Sequence, residues 1–373
     1  MLSGLSGIRW RSMAGSRPLN PMRLTILSSK RALHTALFFP GHGVQRVGMA
    51  NAWIESFPHT SAQVLDEMDS TLGLKLSAII SDGPNSKLNK TENSQPAVMA
   101  TSVLILRILE QEFGFDVKSR IDVTLGHSLG EFSALVAGGY LTFGDALRLV
   151  RRRAEIMAQC TRTLIEQSGE TYGMVALLCE PEHLDGLLRT VQDFLGVDPP
   201  GTEGDTLHPA PPIQQVVVAN INSRNQIVLS VWGHDPRAVK LKSDSPFHSP
   251  AMARATDYMR DAVEQIDIKF PASLPCISNV SALPFQSKED LKDLLSRQCT
   301  DTVRWWDSIR YLHQERGVRR WIGIGPGKVG RNLVGKEVGR VDAKGGGVWA
   351  VCDPREIPEI MIALEETESE GQT

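Results

Sequence analysis

Residues 126–130 read Gly126-His127-Ser128-Leu129-Gly130 and lie between a strand-like run and a helix-like run. The preceding residues 121–125 are apolar and β-branched, which predicts a buried strand, and residues 131–137 carry small and apolar side chains at helical spacing. The Gly-x-Ser-x-Gly spacing is typical of a sharp strand-to-helix turn, where glycines make room for the approaching backbone. Because free N–H groups at a helix N-terminus favour negative charge, Ser128 is a candidate nucleophile.

The length and composition of the chain are those of a globular protein with one large core and a subdomain, or with two domains. It has 373 residues and a formal net charge of −3. Its five cysteines lie far apart, which favours free thiols in a reducing compartment over disulfides or a zinc site. No apolar run reaches the length of about 18 residues that spans a bilayer, so no membrane span is predicted.

The N-terminal 35 residues have a different composition from the rest. They contain six basic residues among interleaved serines, and the first acidic residue of the chain is Glu55. This composition predicts a mitochondrial transit peptide over residues 1–35 and a location in the mitochondrial matrix, although a disordered basic tail would share it. Removing the leader takes the net charge from −3 to about −9. Such an acidic protein is not expected to bind nucleic acid.

Strands and helices alternate in the two outer parts of the chain, which predicts an α/β fold with a largely parallel sheet. Residues Ala36–Phe39 form the first predicted strand, and Gly317–Gly325 and Gly347–Val351 the last two. Thr142 is predicted to cap a helix with Asp145 three residues later.

The middle of the chain has the pattern of a small α+β unit. Short strands are predicted at Met174–Leu178, Val216–Ala219 and Gln226–Ser230, with a proline-rich surface loop between the first two. The acidic residues 361–373 are expected to be a frayed tail.

A nucleophilic serine needs a base, and nine histidines are available. His127 is next to Ser128 in the sequence, but on such a turn its side chain is expected to point away from the Ser128 hydroxyl. His248 lies between two prolines in the segment Ser245–Pro250, and this favours a fixed loop that positions a base. A plain surface-loop histidine fits the same sequence.

Arg153 is a second candidate. The apolar residues of the helix over 147–157 recur at helical spacing and predict its core face, and Arg153 falls on the flank of that face. There a guanidinium could reach the edge of a pocket, whereas Arg152 points to solvent. The alternative is that Arg151–Arg153 form a solvated basic face.

Several short motifs occur in a fixed order along the chain. They are Phe39–Gln45, Leu88–Ala97, Gly126–Glu131, Arg153, Asn220–Ser223, Pro246–Ser249, Asn279-Val280, Arg297-Gln298 and Gly325–Val329. Together they resemble the malonyl-CoA:acyl-carrier-protein transacylases, specifically their mitochondrial fungal-type members. The resemblance covers Leu37 to about Val351. It implies a hydrolase-like large subdomain over residues 36–164 and 244–360, with a small ferredoxin-like subdomain over residues 165–243.

The resemblance also implies roles for site residues. Ser128 attacks the malonyl thioester of coenzyme A, and His248 takes its proton. A backbone carbonyl near Gln298 orients the histidine, and this glutamine supports the substrate site. By analogy, the backbone N–H groups of Leu129 and His42 hold the oxyanion.

Substrate and partner follow from the same resemblance. Arg153 holds the free carboxylate of malonate through two hydrogen bonds. The acyl group then passes to the phosphopantetheine thiol of acyl carrier protein, without a metal or other cofactor. A monomer is expected. The basic residues Lys328, Arg331, Lys336 and Arg340 are candidates to contact an acidic carrier protein, or they are scattered solubilising charges.

The chain departs from the family pattern at two places. His42 replaces a glutamine, which matters little if the backbone N–H carries the role. After Ser230 a helix is missing before Gly233, which predicts a truncated small subdomain of reduced stability. Two alternatives therefore stay open, a general serine esterase and a catalytically impaired isoform.

Overall fold

A computed structural model describes residues 34–195, 217–232, 239–241, 245–339 and 346–369 of the chain. The strands in this part are β1 (His34–Phe39), β2 (Val123–Gly126), β3 (Tyr172–Leu178), β4 (Val217–Ser223), β5 (Gln226–Trp232), β6 (Val239–Lys240), β7 (Cys276–Ile277), β8 (Val318–Ile324) and β9 (Gly347–Val351). The helices are α1 (Asn51–Ser56), α2 (Pro58–Leu72), α3 (Leu76–Asp82), α4 (Asn85–Leu88), α5 (Thr91–Phe113), α6 (Val117–Arg120), α7 (Gly130–Gly138), α8 (Phe143–Ser168), α9 (Leu184–Leu195), α10 (Ala253–Glu264), α11 (Lys288–Arg297), α12 (Trp305–Arg310), α13 (Val329–Val338) and α14 (Ile357–Ser369).

Five strands form a parallel sheet in the order β7-β2-β1-β8-β9. Along β1, Leu37 and Phe39 pack into one core cluster with α5 and α8, while Ala36 and Phe38 pack into another with α12 and α13. Helices therefore cover both faces of the sheet, which explains why β1 reads as a continuous apolar run rather than an alternating one. The predicted parallel sheet is confirmed.

Helix α8 begins as its sequence predicts. The Thr142 hydroxyl accepts a hydrogen bond from the Asp145 backbone N–H at 3.1 Å and so caps the helix. The helix runs to Ser168, four residues beyond the predicted end of the first large-subdomain segment.

The remaining four strands form an antiparallel sheet in the order β4-β5-β3-β6. With α9 between β3 and β4, this is the strand order of a ferredoxin-like unit. Ile227 and Leu229 of β5 pack against α9, while Met174, Ala176 and Val228 face the large subdomain.

The link from β5 to β6 is short. Both strands pair with β3, so they run parallel to one another. Only six residues separate Trp232 from Val239. A crossover between parallel strands usually takes a dozen or more residues, most often a helix. The link is therefore shorter than the usual crossover, which agrees with the short spacing after Ser230 in the sequence.

Two predicted boundaries need correction. Strand β1 begins at His34, because Thr35 already pairs with Arg320 of β8 and its N–H donates to Asp122 at 2.7 Å. The predicted leader of residues 1–35 therefore runs two residues into the sheet, and the residues before His34 lie outside the described part of the chain. The predicted tail is helical as far as Ser369, because Leu364 of α14 is buried in the core.

Candidate active site

The nucleophile turn joins β2 to α7, and Ser128 lies at its apex with a left-handed backbone (φ 50°). Only glycine fits on either side. A Cβ on Gly126 would lie 1.9 Å from the Gly130 carbonyl carbon, and one on Gly130 would lie 2.4 Å from the Phe39 carbonyl oxygen. The two glycines thus allow the close approach that exposes the serine.

Ser128 Oγ lies 2.7 Å from His248 Nε2. The other ring nitrogen, Nδ1, lies 2.8 Å from the backbone carbonyl oxygen of Gln298. A carbonyl oxygen only accepts, so Nδ1 carries the proton and Nε2 is the acceptor for the serine hydroxyl. His248 is thus oriented by a main-chain group in place of an acidic side chain.

His248 is buried, and burial together with the positive charge of Arg153 lowers its pKa to about 3. The imidazole is therefore neutral at physiological pH, as a general base must be. His127 takes no part in this pair, because its Nε2 lies 2.8 Å from Asn222 Oδ1. The predicted orientation of both histidines agrees with this geometry.

The predicted oxyanion groups flank the serine. Leu129 is the N-cap residue of α7, where backbone N–H groups lack helical partners. His42 lines the same cleft as Ser128, with its Nδ1 3.1 Å from Ser94 Oγ and its ring edge-on to Phe247. The assignment of both N–H groups to the oxyanion stays a prediction.

Arg153 lies deeper than the sequence predicts. Its side chain is 1% exposed, and it is not among the cleft-lining residues. Its Nη1 donates to Gln95 Oε1 at 2.7 Å and its Nη2 to Gln298 Oε1 at 2.8 Å, while its Nε has no hydrogen-bond partner among the residues that the structure describes. Helical periodicity gives the direction of a side chain but not its depth, which depends on the neighbouring helices.

Within the described part of the chain, no carboxylate pairs directly with Arg153. The nearby Glu131 is buried and reaches it only through Gln298, whose Nε2 donates to Glu131 Oε2. A buried guanidinium held by neutral acceptors keeps most of its attraction for an added anion, because burying an unpaired charge is costly.

Gln298 connects the main groups of the site. Its side chain donates to the Ser128 carbonyl oxygen at 2.9 Å and accepts from Arg153, while its own backbone carbonyl orients His248. Burial raises the pKa of the adjoining Glu131 to about 7. The predicted site residues Ser128, His248 and Arg153 are thus all hydrogen-bonded to Gln298 or to one another.

The roles of Gln95 and Glu131 were not predicted, although both lie within the quoted motifs. The available signal was a polar residue within each motif, and the structure shows that both side chains are buried.

The cleft above Ser128 and His248 has a volume of about 390 Å³. Apolar side chains dominate its walls. The small subdomain contributes Met174, Ala176, Val228 and Leu241, and the large subdomain contributes Val44, Phe247, Trp305 and Leu333. Its size and character suit an extended chain with apolar and amide segments.

Helix α13 forms one lip of this cleft, through Val329, Gly330 and Leu333. Of the basic residues predicted to contact a partner, Lys328 forms an ion pair with Glu356 at 2.5 Å. Arg331 and Lys336 lie on α13 itself, and Arg340 lies outside the described residues.

Among the described residues, no three His, Cys, Asp or Glu side chains group closely enough to bind a metal ion. None of the described helices combines the length and apolar character required to cross a membrane.

Comparisons with known proteins place this geometry in a family. Residues 37–167 match the acyl transferase domain family. The malonyl CoA-acyl carrier protein transacylase of Bacillus subtilis is 36% identical over 344 residues, which cover 89% of this chain and 97% of that protein.

Solved structures give the same result. The acyl-carrier-protein S-malonyltransferase of Bartonella henselae superposes with a TM-score of 0.72 at 30% identity, over 89% of this chain and 100% of the other. A malonyl-transacylase in complex with its type II PKS acyl-carrier protein gives a TM-score of 0.71 at 30% identity, over 89% and 99% of the two chains. The chain therefore belongs to the family of malonyl CoA-acyl carrier protein transacylases.

Proposed function

We propose that this chain transfers a malonyl group from malonyl-CoA to the phosphopantetheine thiol of acyl carrier protein, for fatty acid synthesis. The reaction is of the ping-pong type and passes through a malonyl ester on Ser128. The observation that carries the proposal is the buried Arg153, one glutamine side chain away from the Ser128–His248 pair and without a carboxylate partner among the described residues.

In the first half-reaction, His248 Nε2 takes the hydroxyl proton while Ser128 Oγ forms a bond to the thioester carbonyl carbon. The carbonyl oxygen becomes an oxyanion, held by the N–H groups of Leu129 and His42. The carbon–sulfur bond then breaks, and the coenzyme A sulfur leaves with the proton from His248. In the second half-reaction the carrier thiol repeats these steps in reverse order.

Arg153 selects the acyl group. A malonyl group places a second carboxylate at its far end, and the guanidinium of Arg153, whose Nε has no hydrogen-bond partner among the described residues, is the cation that binds it. An acetyl group has no such anion and gains nothing from the guanidinium. Gln95 and Gln298 keep the arginine in place while the site is empty.

The finer assignments are supported by composition and resemblance. We place the enzyme in the mitochondrial matrix and among the fungal-type members, because its first residues are basic, rich in serine and free of acids. The reaction as written needs no metal or other cofactor, and a monomer suffices for it. The complex between a related malonyl-transacylase and its acyl-carrier protein supports acyl carrier protein as the partner.

The test is the mass of the intact protein after incubation with malonyl-CoA. The wild-type chain should gain one malonyl group, and Ser128→Ala should lose this label and at least about 1,000-fold in transfer rate. Ser133→Ala is the matched control, since this hydroxyl is buried on α7, the helix that follows Ser128, and has no hydrogen-bond partner in the described part of the chain. Label retained in Ser128→Ala would refute the nucleophile.

A parallel assay with a nitrophenyl ester separates the esterase alternative. Faster turnover of the ester than of malonyl-CoA would favour an esterase. Absence of any malonyl transfer by the folded chain would favour an impaired isoform, although the 2.7 Å contact between serine and histidine argues for an intact pair.

A further inference from the structure

Asn279 lies just after β7 and is buried behind the nucleophile turn. Both ends of its side-chain amide contact that turn. Its Nδ2 donates to the Gly126 carbonyl oxygen at 2.7 Å, and its Oδ1 accepts from the Ser128 backbone N–H at 2.6 Å. One side chain, 151 residues away in sequence from the serine, thus spans the bend on which the nucleophile lies.

The backbone of Asn279 is fixed as firmly as its side chain. Its N–H donates to Glu131 Oε1 at 3.0 Å, and its carbonyl oxygen accepts from the Arg304 N–H at 2.9 Å. All four of its polar groups therefore have partners. Because Asn279 is itself fixed by these hydrogen bonds, it can fix the position of the neighbouring turn.

The Ser128 backbone needs such support. A non-glycine residue at φ 50° is strained and keeps that conformation only where its surroundings enforce it. The contact with Asn279 has a second effect, because it occupies the Ser128 N–H. The Leu129 N–H is then the donor that the turn can offer to an oxyanion.

We infer that Asn279 is a positioning residue of the reaction, which holds Ser128 in its left-handed conformation and directs the oxyanion to the neighbouring N–H. This inference rests on the proposed function. Asn279 lines no part of the cleft, and its amide acts through the backbone of the turn. Its loss should therefore lower kcat and leave the KM for malonyl-CoA unchanged.

The main test is Asn279→Asp. This change preserves the shape of the side chain and the acceptor for the Ser128 N–H, but it replaces the donor Nδ2 with an oxygen that repels the Gly126 carbonyl oxygen. We expect kcat to fall by about 100-fold, the size of effect seen when oxyanion stabilisation is disturbed, with KM within about twofold. Asn279→Ala removes both contacts without adding charge and should lower kcat by about tenfold. Asn85→Asp is the matched control, the same change at an exposed site on α4, and should behave as wild type.

A fluorophosphonate probe that reacts with activated serines gives a readout independent of malonyl-CoA. Its labelling rate at Ser128 should fall in step with kcat in both variants. Wild-type labelling rates in both variants would overturn the inference while leaving the proposed function intact. If the wild type takes the probe but no malonyl group, the proposed function fails and the probe still tests Asn279.

A structural role would give another pattern. It predicts a loss of activity that follows the fraction unfolded in thermal melts, or equal changes in kcat and KM. Either result, or failure of both variants to fold, would overturn the positioning role.

Discussion

The two sheets of this molecule differ in how they are covered. The parallel sheet is packed on both faces, and the hydrogen bonds that join Ser128, His248, Gln298 and Arg153 all lie within the subdomain it supports. The antiparallel sheet has α9 on one face and only six residues for its second crossover. The well-packed region holds the reacting groups, and the thinly covered region supplies one wall of the cleft.

The reacting groups and the thinly covered sheet thus lie in different subdomains. Near the site, the small sheet bonds to residues outside the reacting set: Asn222 bonds to His127, and the Ser230 hydroxyl donates to the Phe247 carbonyl oxygen. Changes in the large subdomain should therefore alter rates and selectivity. Changes in the small sheet should alter mainly the free energy of unfolding.

Among the changes that test this difference between the two sheets, the largest effect should come from Arg153→Ala. We expect malonyl transfer to fall by about 100-fold or more relative to acetyl transfer, because only the malonyl carboxylate loses a charged partner. The measurement is the ratio of kcat/KM for the two coenzyme A thioesters. Arg152→Ala is the control, with a side chain that is 57% exposed on the same helix. An unchanged ratio would remove Arg153 from the substrate site.

A smaller effect concerns pH. Because burial and the charge of Arg153 lower the pKa of His248 to about 3, the base stays neutral and serine malonylation should continue well below pH 6.5. The same lowered pKa means that stability from the buried neutral ring is complete above about pH 6.5 and is lost as pH falls towards 3.

Burst malonylation rates between about pH 4 and 8, with thermal melts at each pH, check this. An acidic limb centred near pH 6.5 would contradict the prediction if it persists in Glu131→Gln. A limb that disappears in this variant belongs to Glu131, since burial raises the pKa of that carboxyl to about 7.

The smallest effect should come from lengthening the short crossover. The insertion would place, between Ser230 and Gly233, the helix that the family pattern has at this position. It should cover more of the small sheet and raise the thermal midpoint by several degrees, at roughly 2–4 °C per kcal/mol. A glycine-serine insert of equal length is the control. An unchanged thermal midpoint with the helix would show that the short crossover does not lower stability. A large gain in kcat would contradict the expectation that changes in the small sheet alter mainly stability.

Local sequence signals predicted much of this molecule. The turn at Ser128 follows from two glycines, the start of α8 from a capping threonine, and the strands from apolar runs. The identity of the base follows from a proline-framed loop together with the resemblance. Each of these depends on residues that are close together in the chain.

The remaining features depend on contacts that only the fold creates. Asn279 and Gln298 act on the backbone of residues more than a hundred positions away, which no spacing rule reveals. Arg153 is buried and bonds to Gln95 of α5 and to Gln298, which directly follows α11. The helix at residues 357–369 was missed because its acidic composition hid the apolar pair Ile360 and Leu364, four residues apart.

One consequence follows from the main-chain oxygen that steadies the catalytic imidazole. Every amino acid brings the same peptide group, so no substitution at position 298 can delete that support, and variants there report only on the side-chain amide. A neutral dipole also stabilises an imidazolium less than an anion does. The dyad is thus suited to activated acyl donors, whose thiol departs easily, and poorly suited to cleaving amides.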